Sequence, residues 1–171
     1  MYTRVKLELL ILFDVASLFP SVPIPETLEF LRELLSNNNF DPSEIDEYVR
    51  LTALCMSQNC FQINGKFFEQ LEGTAMGNCL SPFIANLFMS RFETNVKSKA
   101  PYFPKTWVRY VDDIFAIFDT KKCSVQDFLL VLNSEFNTIN FTVEQEVSGQ
   151  LPFLDTLVVR NSKNIIEINK V

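Results

Sequence analysis

Trp107-Val108-Arg109-Tyr110-Val111 and Ile114-Phe115-Ala116-Ile117-Phe118 leave only Asp112-Asp113 between them. Both runs are β-branched and aromatic, which is strand composition, so the acidic pair falls at the tip of a tight hairpin. Aspartate is an ordinary turn residue because its side chain bonds nearby backbone, and a solvated turn is the plain reading. Asp14 shifts the balance, because it ends another apolar run, Leu9-Leu10-Ile11-Leu12-Phe13, far upstream. Two carboxylates about 4 Å apart repel by roughly 4 kcal/mol at an effective dielectric near 20. A chain that gathers three at the tips of apolar strands needs a cation there. Hard oxygen ligands on rigid strand ends suit Mg²⁺, which shares its shell with water and substrate phosphates. Two such ions, about 3.5–4 Å apart, activate a hydroxyl and neutralise a leaving phosphate in one in-line step. The expected chemistry is phosphoryl or nucleotidyl transfer.

Composition narrows the remaining choices. The chain has 171 residues, a single-domain length, and its 47% hydrophobic content with 17 Phe describes a globular fold. No His is present, which removes the commonest general base and zinc ligand. A formal net charge of −6 argues against an autonomous nucleic-acid binder, whose footprint is normally basic. Cys55, Cys60, Cys79 and Cys123 show no Cys-x-x-Cys spacing. They read as reduced core residues with no disulfide partner, which fits an intracellular setting. Near the N-terminus, Glu8 and Asp14 cut the apolar run well below the length of a signal core or membrane span. No membrane partner is expected.

In chain order, Val5, Leu7, Leu9, Ile11 and Phe13 alternate with polar residues before both faces turn apolar, as in a central strand. Residues 26–35 form a helix with Leu28, Leu31, Leu34 and Leu35 on one face. Asp41-Pro42 opens a second helix, with Ile45, Tyr48, Val49, Thr52, Ala53 and Met56 as its buried stripe. Asn64-Gly65 between Phe61-Gln62-Ile63 and Phe67-Phe68-Glu69 signals a hairpin. Gly73 and Gly77 permit a backbone that bends sharply and lets another molecule approach closely. Ser81-Pro82 starts a third helix that buries Ala85, Phe88, Met89 and Phe92. Ser124 and Asp127 cap a fourth, with Phe128, Leu132 and Phe136 inward. Strands over Phe141–Val147, Leu151–Arg160 and from Ile165 complete an α+β order, a sheet backed by helices on one face.

These residues resemble the palm of a reverse transcriptase. Phe13-Asp14-Val15-Ala16-Ser17-Leu18-Phe19 resembles that family's first metal-binding motif, Gly73–Pro82 its glycine loop and helix, and Tyr110-Val111-Asp112-Asp113 its signature hairpin. Order and spacing match for all three. Met76-Gly77-Asn78-Cys79-Leu80-Ser81-Pro82 with Ile84–Met89, Phe141-Thr142-Val143-Glu144 and Leu151-Pro152-Phe153-Leu154-Asp155 are similar to the Penelope-like retroelement subfamily. The resemblance covers essentially the whole chain. It implies a polymerase palm, an antiparallel sheet backed by helices with a ferredoxin- or RRM-like core, as one domain over 1–171. Partial fingers inserts are expected, with the fingers incomplete and the thumb absent.

The resemblance also implies roles. Asp14, Asp112 and Asp113 would be catalytic, holding two Mg²⁺ ions (or Mn²⁺) with help from the Val15 carbonyl. The amides of Ser17 and Leu18 would meet the triphosphate, and Phe19 would be the sugar gate that favours deoxynucleotides. Gly77 would lie under the template–primer pair, Tyr110 would touch the primer end, and Leu151–Asp155 would correspond to the region that grips the primer. Expected partners are an RNA template, a DNA primer and deoxynucleoside triphosphates, with a nuclear setting for a eukaryotic retroelement product. The function implied is an RNA-directed DNA polymerase core, truncated and inactive as an isolated chain. Two rivals share part of this pattern. One is a domesticated, non-catalytic remnant that binds nucleic acid or protein. The other is an RNA-dependent RNA polymerase, which normally carries a polar residue where Phe19 stands.

Overall fold

The computed structural model describes residues 8–161 and 165–170. The expected alternation at Val5 and Leu7 lies outside the described residues. The chain divides into two compact units, 1–16 with 96–171, and 17–95.

The first unit is built on a four-stranded antiparallel sheet of β1 (Glu8–Val15), β4 (Thr106–Tyr110), β5 (Asp113–Asp119) and β6 (Phe141–Gln145). Its order is β4-β5-β1-β6, so the first strand is interior, as its two-sided apolar pattern requires. Along β5, Ile114, Ala116 and Phe118 are fully buried while Asp113, Phe115, Ile117 and Asp119 alternate with them at partial exposure. Helix α5 (Val125–Glu135) covers the buried face. Phe128 meets Phe13, Phe118 and Trp107 at ring separations of 5.7, 5.4 and 6.0 Å. The Asp127 N–H donates to Ser124 Oγ at 3.0 Å, so the helix starts at its expected cap.

The opposite face carries a second layer. Sequence periodicity predicts one strand over Leu151–Arg160, but the chain turns at Leu154-Asp155 to give β7 (Gln150–Phe153) and β8 (Thr156–Arg160). Leu154 takes φ 51, and Asp155 supplies turn chemistry beside it. With β9 (Ile166–Lys170) these strands make a three-stranded sheet. Leu151, Val158, Phe153 and Ile166 pack there against Leu10, Leu12, Phe115 and Ile117. That apolar cover ends one side-chain step before Asp14 and Asp113.

The second unit holds α1 (Leu18–Ser21), α2 (Ile24–Asn37), α3 (Pro42–Ser57), the hairpin of β2 (Cys60–Ile63) and β3 (Lys66–Glu69), and most of α4 (Ser81–Lys99). Asp41 and Glu44 form a reciprocal capping box at the start of α3. Asn64 and Gly65 adopt φ 51 and φ 75, the positive values that a two-residue hairpin turn needs. Helix α4 buries Ile84, Ala85, Phe88, Met89 and Phe92, and Phe88 stacks on Phe30 of α2 at 6.4 Å. The α3 stripe is narrower than its periodicity predicts, with Ile45 and Met56 buried but Tyr48 49% exposed. Tyr48 instead meets Phe40 edge-to-face at 5.9 Å on the surface. Three of the four cysteines are also exposed and Cys123 is half-buried, so they are free thiols outside the core. Their small apolar side chains gave no directional signal from sequence.

Candidate active site

The register of β1 against β5 places Asp14 directly opposite Asp113. Residues opposite each other in antiparallel strands share a face, so both carboxylates leave the sheet on the side away from α5. The β4–β5 connection has two residues, Val111 and Asp112, because Tyr110 pairs with Asp113. Val111 holds φ 56, a region that β-branched residues rarely adopt. Such a backbone costs on the order of 1–3 kcal/mol and persists only where its surroundings enforce it. The Val15 N–H supplies part of that enforcement by donating to the Asp112 carbonyl at 3.1 Å. The turn is thereby tied to the end of β1.

The charges feel one another. Burial raises the Asp14 carboxyl above its ordinary range, and the Asp112 charge adds to the rise. A hydrogen bond from the Thr142 hydroxyl pulls the other way, and Glu144 raises it again. Asp113 is likewise raised, first by burial, then by Asp112, Asp14 and Glu144. Thr142 is the register partner of Asp14 on β6, and Glu144 lies two residues further along the same face. Neither residue stands out as a site residue in the sequence. The alternation of Phe141 and Val143 with Thr142 and Glu144 was the available signal, and only the register shows which face meets Asp14.

The donor set is all oxygen and all anionic, which suits a hard divalent cation. Among the described residues, no three His, Cys, Asp or Glu side chains are already gathered to hold an ion by themselves. Mg²⁺ fits such a site, since it takes one or two carboxylates and completes its shell with water and substrate phosphate.

The structure therefore brings Asp14, Val15, Tyr110, Asp112 and Asp113 to one end of one sheet. Tyr110 is 61% exposed and shares the face of Asp113. Ser17, Leu18, Phe19 and Gly77 belong to the second unit. There Ser17 is exposed with φ 53 and ψ 51, Leu18 is buried and Phe19 is half-buried. Gly77 faces open space.

A model of the family described as reverse transcriptase (RNA-dependent DNA polymerase) matches residues 3–148. The chain belongs to that family. Among solved structures, it is similar to apo telomerase from Candida tropicalis truncated from its C-terminal domain, with TM-score 0.67 and 15% identity. The match covers 96% of this chain and 35% of the telomerase chain, so this chain spans about a third of that protein's length. The shared fold is a mixed α+β one with antiparallel sheets backed by helices. No curated protein matches the chain. No helix among the described residues is long and apolar enough to cross a membrane.

Proposed function

We propose that this chain is the palm core of a retroelement RNA-directed DNA polymerase of the Penelope-like kind, with residues 1–171 forming one reverse-transcriptase domain with partial fingers inserts. The observation that carries this reading is the cross-strand pairing of Asp14 with Asp113 beside the Asp112 turn. The subfamily assignment rests on Met76–Pro82, Phe141–Glu144 and Leu151–Asp155.

Asp14 and Asp112 would hold two Mg²⁺ ions, or Mn²⁺, with the Val15 carbonyl assisting and Asp113 beside them. When bound, the ions supply an activated primer hydroxyl and neutralisation of the leaving pyrophosphate. The chain's own residues set the geometry. Thr142 faces Asp14 from the paired position on β6, and the Val15–Asp112 backbone bond fixes the separation of the two strand ends. The exposed Tyr110 ring offers the primer terminus a flat apolar surface. The amides of Ser17 and Leu18 meet the triphosphate, Phe19 walls off the ribose 2′ position, and Gly77 leaves room for the template–primer pair. RNA template, DNA primer and deoxynucleoside triphosphates are the partners. The acidic balance of −6 means that most basic contacts to the phosphate backbone come from outside these 171 residues. The isolated chain accordingly binds primer–template weakly and does not extend it.

The test is extension of a DNA primer on an RNA template by the full natural protein with Mg²⁺ and deoxynucleotides. Template-directed products support the reading. Their complete absence, with primer–template still bound, would favour a non-catalytic binding module.

A further inference from the structure

Helix α1, which carries Phe19, is one turn long, and the Ser21 N–H donates to the Ser17 carbonyl at 3.2 Å. Its position is fixed from elsewhere in the second unit. The Thr74 N–H donates to the Phe19 carbonyl at 2.8 Å. The preceding Gly73 has φ +67, and a Cβ there would lie 2.1 Å from the Pro20 carbonyl oxygen and 2.3 Å from its carbon. Both contacts are to backbone, which cannot swing aside as a side chain can. The close neighbour that this glycine admits is thus the Pro20-Ser21 peptide of its own chain, one residue beyond Phe19.

The other side of the loop is anchored in the helices. The Thr74 hydroxyl is fully buried and bonds Ser81 Oγ and Met56 Sδ. Ser81 Oγ also donates to the Ala75 carbonyl at 2.6 Å. Asn78 Nδ2 donates to the Cys55 carbonyl at 2.8 Å. A loop clamped by α3 and α4 therefore presents one rigid edge, Gly73-Thr74, to the backbone of Phe19.

We infer that Gly73 and Thr74 are positioning residues for nucleotide sugar selection: the peptide edge they form sets the Phe19 ring at the ribose 2′ position. The inference rests on the proposed role of Phe19 as sugar gate. A Cβ at residue 73 must displace Pro20 and carry Phe19 with it, which relaxes discrimination without removing the ring.

The experiment measures kcat/KM for matched ribo- and deoxynucleotides in the full natural protein. Variants are Gly73→Ala, Phe19→Ala and, as a control, Gly65→Ala, whose positive-φ glycine has nothing within 4 Å of an added Cβ. Gly73→Ala is expected to raise the ribo-to-deoxy ratio about tenfold to a hundredfold, on the scale of a misplacement near 1 Å. Gly65→Ala should leave the ratio at the parent value, which separates repositioning from general loss of stability. An unchanged ratio in Phe19→Ala would remove the gate itself. A raised ratio in Phe19→Ala with an unchanged one in Gly73→Ala would overturn the positioning role alone. Should Gly73→Ala fail to fold, Thr74→Val decides instead, since it keeps the N–H but releases the hydroxyl clamp. A severalfold rise in its ratio supports the inference, and a parental ratio overturns it.

Discussion

Asp113→Asn is expected to stabilise the cation-free chain near neutral pH. Asp113 stands directly opposite Asp14, and directly opposed side chains have Cβ atoms about 4.5–5.5 Å apart. At about 5 Å, two charges repel by roughly 0.8 kcal/mol at the dielectric of water and roughly 3 kcal/mol at a value near 20. Both side chains are half-exposed, so solvent screening puts the effect near the lower figure. A gain of about 1 kcal/mol corresponds to a rise in Tm of roughly 2–4 °C for a chain of this size. The pH dependence follows from the direction of the shifts. Asp14 and Asp113 are both raised above 3.8, so the folded chain binds protons more readily than the unfolded one. The penalty is therefore absent below 3.8, develops as pH rises through the folded values, and is fully present above them. Thermal melts of parent and variant, followed by circular dichroism at pH 3, 5 and 7 in EDTA, read this directly. The Tm difference should be near zero at pH 3 and positive at pH 7. A variant less stable than the parent at pH 7, or a gain independent of pH, would refute the reasoning.

Other outcomes follow from the same structure. Phe19→Ala in the full protein should admit ribonucleotides while retaining much of the deoxynucleotide use, measured by single-nucleotide incorporation; a large loss of stability with no change in sugar ratio would make Phe19 a packing residue. Glu146 and Arg160 form an ion pair at 3.5 Å with side chains 1% and 7% exposed, so Arg160→Leu should cost roughly 3–5 kcal/mol in urea melts. A cost below about 1 kcal/mol, the value of a surface pair, would contradict that burial. The purified 171-residue chain should give a cooperative melt yet no detectable primer extension, because positioning of template and triphosphate can contribute roughly 7–11 kcal/mol. Extension by that chain, dependent on Asp14, would show the positioning parts to be present in it.

Local chemistry made much of this fold legible. Two apolar runs around Asp112-Asp113 specify β4 and β5, but the connection is Val111-Asp112 and not the acidic pair, since Tyr110 pairs with Asp113 and draws it into β5; Asn64-Gly65 specifies the second hairpin. Asp41-Pro42 and Ser124 mark helix starts because capping depends on residues a few positions apart. The features that escaped sequence reading depend on distant partners. Periodicity runs continuously through Leu151–Arg160, and the turn at Leu154 appears only when β7 and β8 dock on Leu10 and Leu12. Thr142 and Glu144 join the carboxylate face only once the register of β6 on β1 is fixed. A slip of one residue would turn both away. The purpose of Gly73 was hidden for the same reason, since Pro20 lies more than fifty residues earlier.

The central claim is that the carboxylates at the end of β1 and in the β4–β5 turn perform nucleotidyl transfer. Single-turnover extension of a DNA primer on an RNA template, comparing the full natural protein with its Asp112→Asn variant, tests it most directly. Asp112 lies in the turn, outside the packed faces of the sheet, so the variant should fold and bind primer–template with parental affinity. The account predicts that its extension rate falls to background at saturating Mg²⁺ and deoxynucleotide. A variant that extends the primer at a rate comparable to the parent would contradict the assignment of the site.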